Sequence, residues 1–179
     1  MKKMIFYSIL LCFLMLNIAA TCNSDEEEPK PDGLQSFLGK WTFSHFEMNQ
    51  TKTDGSIHTA AWNAEDKGIN IFWEFKSNGD FIATEGNKSA TGKWELKVTK
   101  LDESDPTLVE EGTLIISGVP SADEVAKELG MEKLTYKVHS YFFFYQGTYF
   151  KMFVVEVDAS KAAPEYLKTI FKYTYIKRK

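Results

Sequence analysis

From residue 34 onward, apolar and polar side chains alternate with a period of two in run after run, and turn residues bound each run. Successive side chains of a strand point to opposite faces, so this pattern reads as β-strand after β-strand, each with one face buried. The runs predict strands over 40–48, 69–76, 81–85, 90–99, 108–117, 133–145, 148–158 and 169–178. The punctuation agrees. Ser77-Asn78-Gly79-Asp80, Gly86-Asn87-Lys88 and Gln146-Gly147 are tight-turn sequences, because Asn-Gly and Gly tolerate the positive φ that a hairpin turn requires. Residues 49–68 read as a polar, irregular connection carrying Trp62.

One helix stands out. Ser121-Ala122-Asp123-Glu124 has the form of a capping box, and Gly130 closes the segment. Its apolar stripe (Ala122, Val125, Ala126, Leu129) is narrow, as expected of a helix that covers something rather than builds a core. Residues 34–38 and 162–167 read as single helical turns, the second with Pro164 at its start. The expected fold class is all-β. Eight antiparallel strands in hairpin succession suit an up-and-down barrel, whose closure removes exposed sheet edges, with a short helix between the fifth and sixth strands. A two-sheet sandwich is the other arrangement the periodicity admits.

The chain has 179 residues, with 21 basic against 25 acidic side chains and a formal charge of −4. Nothing in this balance marks a nucleic-acid partner, because a polyanion-binding surface needs clustered Lys and Arg. The two cysteines are Cys12 and Cys22. Both precede the strand pattern, which leaves the folded part without thiol catalysis, thiolate metal sites or disulfides.

The N-terminal residues read as an address. Lys2 and Lys3 precede an apolar run from Ile5 to Ala20, the pattern of a secretory signal, with a membrane-spanning anchor as the rival reading. Ala19-Ala20-Thr21-Cys22 then leads into Asn23-Ser24-Asp25-Glu26-Glu27-Glu28. This resembles the lipobox of bacterial lipoproteins. The resemblance implies a signal peptide over 1–21, acylation of Cys22 with fatty acid such as palmitate, an acidic, Pro-containing linker over 22–33, and a barrel domain over 34–179. Two or more acyl chains hold a protein stably on a membrane. The acidic run resembles the export signal that sends some Gram-negative lipoproteins to the outer membrane and the cell surface; a solvated linker is the plainer reading.

Gly39-Lys40-Trp41 opens the first strand after a helical turn and precedes a long connection. That combination resembles the lipocalin superfamily, and with the lipobox, the Asn-Gly hairpin and Gly92-Lys93-Trp94 it resembles bacterial lipocalin-like lipoproteins in particular. The resemblance implies that Trp41 plugs the closed end of the barrel behind Gly39. It also implies that a basic residue near the end of the last strand, Arg178 or else Lys177, stacks on the indole. A small, mainly apolar or aromatic ligand would bind at the open end.

Up-and-down connectivity then puts 49–68, the capped helix and 162–167 at one mouth, where elaborated loops on a rigid scaffold carry function. The candidate ligand-binding residues are Trp62, Trp73, Trp94, Ile71, Tyr136 and Phe171, with Trp62 as a lid. Tyr141-Phe142-Phe143-Phe144-Tyr145 belongs near the closed end; its alternate members are expected to pack in the barrel floor, against the alternative of an exposed platform for a glycan or protein partner. The 3 histidines are His45, His58 and His139, without ligand spacing. His45 and Glu47 share a strand face but read as a surface pair. Asp102-Glu103-Ser104-Asp105 lacks the glycine and terminal glutamate of a calcium loop. No catalytic residue, metal or cofactor is expected, and the alternative to a ligand carrier is a cell-surface interaction module with a filled core.

Overall fold

The computed structural model describes residues 32–177, from a short helix α1 (Asp32–Gln35) to the end of the last strand. Nine strands follow: β1 (Gly39–Thr51), β2 (Ile57–Asn63), β3 (Ile71–Phe75), β4 (Asp80–Glu85), β5 (Lys88–Leu101), β6 (Val109–Ser117), β7 (Leu134–Tyr145), β8 (Thr148–Asp158) and β9 (Lys168–Lys177). A helix α2 (Pro120–Glu128) lies between β6 and β7. From β3 onward each strand pairs antiparallel with the next, and β1 pairs with both β3 and β9. The sheet therefore closes: β1 and β3 to β9 form an eight-stranded up-and-down barrel. Closure, not a sandwich, is the observed solution.

β2 is the element that sequence periodicity missed. Residues 49–68 are not an irregular connection. β1 runs on to Thr51, turns, and pairs back with β2 from Thr51↔Ile57 to His45↔Asn63. A 3₁₀ turn (Glu65–Lys67) interrupts the returning chain before β3 takes up the pairing at Thr42↔Phe72. β2 and β3 thus act as one broken partner of β1. The alternation was hidden because Ile57, Thr59 and Ala61 are exposed, so the run is almost wholly polar or small. β1 itself carries a bulge between Phe43 and His45. An extra residue there resets the parity, so that Trp41 and Phe43 before it and Phe46 after it are all buried.

The helix also differs from its sequence reading. Val119, not Ser121, is the N-cap, no side chain caps it, and Pro120 occupies the first turn. Ser121 is buried instead, and Asp123 Oδ1 accepts a bond from the Gly118 amide at 3.3 Å. Gly130 does follow the last turn with φ +67°. Near 162–167, the helical turn is a 3₁₀ turn over Ser160–Ala162, ahead of Pro164.

The closed end is packed with rings. Trp41 is fully buried, its Nε1 donates to the Phe37 carbonyl at 2.8 Å, and its ring meets Phe153 edge-on at 4.7 Å. Phe153 stacks on Tyr175 at 4.9 Å, and Tyr175 on Trp73 at 4.3 Å. Gly39, at φ +100°, lets the chain swing from the turn holding Phe37 into β1 so that this carbonyl meets the indole. Lys177 sits over the ring, Nζ 5.3 Å from its centre, and donates to the Leu38 carbonyl at 2.6 Å. Lys177, the second choice of the sequence reading, therefore holds that place; Arg178 lies outside the described residues. So do the signal segment and Cys22.

Candidate functional site

Among the described residues, the barrel interior holds an apolar cavity of about 60 Å³ toward the mouth. Its walls come from alternating inward positions of the strands: Ile71 and Trp73 on β3, Phe81 and Ala83 on β4, Tyr136 on β7, Tyr173 on β9. α2 forms the roof with Ser121, Ala122 and Val125, which explains its narrow apolar stripe. Thr84 and Glu85 also line it, and Glu85 is the carboxylate of this site. Burial holds its pKa above the ordinary glutamate value, against the opposing pull of Lys88. Glu85 follows Phe81 and Ala83 in strand parity, which was the available signal for it; the eye passes over it because a charge at a strand end reads as solvated.

Of the six residues singled out in the sequence, the structure brings Ile71, Trp73 and Tyr136 together around this cavity. The other three are placed elsewhere. Trp62 lies on β2 directly across from Phe46 and packs on it at 5.1 Å and on Phe43 at 5.8 Å. It packs as part of the barrel wall. Trp94 is buried in the core away from this cavity, donating Nε1 to the Lys76 carbonyl at 2.9 Å and meeting Phe75 at 5.1 Å. Phe171 packs on Phe46 at 5.7 Å.

Near the rim, Gln50 and Thr169 face each other across β1 and β9, both almost wholly buried. Gln50 Oε1 and Thr169 Oγ1 lack a hydrogen-bond partner among the described residues. Buried polar atoms usually have one, protein or water.

The remaining polar candidates are engaged locally. His45 Nδ1 pairs with Asn63 Oδ1 at 3.0 Å, while Glu47 accepts from the Asn49 side-chain amide, so each is bonded to a different neighbour. Asp102 Oδ1 accepts from the amides of Ser104 and Asp105 and from the Ser104 hydroxyl. Asp105 does the same for Thr107. These bonds hold both carboxyls below the usual aspartate range and make the segment a self-capped loop.

The aromatic run departs most from expectation. Its inward members do not reach the barrel floor. β6 pairs with β7 only as far as Gly112↔Val138, whereas β7 and β8 stay paired to Tyr145↔Thr148. The two strands thus project past the closed end as a hairpin. Phe142, Phe143, Phe144 and Tyr149 are all exposed on it, Phe144 at 56% and Tyr149 at 66%. No protein-family model and no curated protein matches this chain significantly.

Proposed function

We propose that this chain is a non-enzymatic binding protein, held at a membrane by lipid on Cys22, in which the barrel is a solid support and recognition takes place on its outer surface. One observation carries the reading: rings fill the interior and leave a cavity of about 60 Å³. An apolar cavity that takes up benzene measures about 150 Å³, and sites for drug-sized ligands start near ~300 Å³. The lipid anchor is supported by the basic head, the apolar run and Ala20-Thr21-Cys22; the outer membrane surface is supported by the acidic run after it.

A second reading keeps an internal ligand. It is favoured by Trp73, Tyr136 and Glu85 meeting beneath a helix whose displacement would enlarge the cavity. Titrating fatty acids, bile acids and tetrapyrroles against tryptophan fluorescence separates the two. No saturable response is expected. A saturable quench that disappears in Trp73→Phe would overturn the solid-support reading in favour of the helix-roofed pocket. Labelled palmitate should enter the chain and be lost in Cys22→Ala; incorporation that survives the substitution would sink the anchor.

A further inference from the structure

We propose that the β7–β8 hairpin tip is a membrane-docking element that beds its aromatic side chains in the lipid interface and so turns the closed end of the barrel toward the bilayer. This rests on the membrane location proposed above and adds a surface and an orientation to it.

The hairpin has the chemistry for it. Aromatic rings are large apolar bodies suited to the boundary between headgroups and acyl chains. Here Phe142, Phe143, Phe144 and Tyr149 crowd one turn, with Phe144 and Tyr149 in contact at 4.7 Å. A soluble surface rarely gathers such a patch without a partner. A cation flanks it: half-buried Lys151 lies opposite Phe142 on the partner strand, its Nζ 5.7 Å from that ring and donating to the Thr107 carbonyl at 2.9 Å. β7 and β8 pair with each other up to Tyr145↔Thr148, which satisfies the facing edges of the tip. Among the described residues, the outer edges beyond Val138 and Lys151 need water or headgroups, as a position in the interface supplies and a position in the hydrocarbon does not.

Topology selects lipid among the possible occupants. The tip lies at the closed end, where α1 leads into β1. The described chain begins at Asp32, ten residues after Cys22. At most ~3.6 Å of reach per residue puts the start of the domain within about 35 Å of an acylated Cys22. A tether from Cys22 therefore enters the barrel at the same end that carries the projecting rings, which favours lipid as their partner.

The test uses residues 23–179, which retain all nine strands and contain no cysteine. Thr148→Cys places a thiol on the tip for an environment-sensitive nitrobenzoxadiazole label, and Glu132→Cys places one at the opposite end. With millimolar vesicles of phosphatidylethanolamine and phosphatidylglycerol, the tip label should brighten several-fold and shift to the blue. The Glu132→Cys label should not change. Adding Phe142→Ser, Phe144→Ser and Tyr149→Ser should abolish the response while near-ultraviolet circular dichroism, dominated by buried rings, stays intact. A tip label that ignores vesicles, or responds equally without the aromatics, overturns the inference and leaves the hairpin to a protein or glycan. Because Cys22 is absent from this chain, that failure would be distinct from failure of the anchor, which palmitate labelling decides.

Discussion

Trp41→Ala is expected to destabilise the protein by about 3–5 kcal/mol, the range for emptying a buried Trp site, and so to lower Tm by roughly 10 °C in a domain of this size. The size of the effect follows from what surrounds the indole. Trp41 is at 0% exposure, with Phe37 and Phe153 against it and Lys177 across its outer face. The rings cannot collapse into the vacated space without leaving their own stacks, because Phe153 is held by Tyr175 and Tyr175 by Trp73. Trp41→Phe separates packing from hydrogen bonding. It keeps most of the apolar volume but leaves the Phe37 carbonyl without its donor, and about 1–2 kcal/mol is expected. Urea unfolding of both variants measures the difference. A Trp41→Ala cost below that of Trp41→Phe would mean the floor of the barrel is not close-packed.

The second large effect is expected at Gly92, the glycine of the other Gly-Lys-Trp sequence. A Cβ there would lie 2.5 Å from the Ser117 carbonyl oxygen and 2.5 Å from Val119 Cγ2. The first of these is backbone, so no rotamer relieves it. Either β5 and β6 part near the Lys93↔Ser117 pair, or the segment leading into α2 shifts. Val119 is fully buried at the helix N-cap, which couples that shift to the roof of the cavity. Gly92→Ala is expected to cost about 1–3 kcal/mol and Gly92→Val more, as overpacking does. Gly147→Ala is the comparison: nothing lies within 4 Å of its Cβ, and only the φ of +78° opposes it, for about 1 kcal/mol. Thermal unfolding that ranks Gly147→Ala as the worse of the two would contradict the close approach at Gly92.

The two glycine motifs show what could be read from the residues alone. Gly-x-Trp at 39–41 marked the entry to the first strand, and the strands from 71 onward followed from alternation because one face of each is buried. Residues 57–63 escaped because β2 packs through little more than Trp62, with its neighbours exposed. Without an apolar face, a strand has no period-two signature. Site reading failed for a related reason. Parity says which side chains point inward but not at what height, so Trp73 and Trp94 looked equivalent. Only the stagger of the strands sets one at the cavity and the other on the Lys76 carbonyl. The aromatic run was misplaced because periodicity within β7 carries no information about where β6 stops pairing with it.

The ends of the folded chain meet. β1 and β9 are paired neighbours, and Lys177 reaches back to the Leu38 carbonyl, so the polypeptide is close to a ring with its seam at one pole. Joining residue 177 to 32 through a short peptide and reopening the circle between 160 and 167 would leave every strand pairing in place, the condition under which permuted chains succeed. The seam also places whatever is joined directly to residue 32 or residue 177 at that pole, leaving the helix-roofed pole clear for crosslinkers, dyes or antibodies.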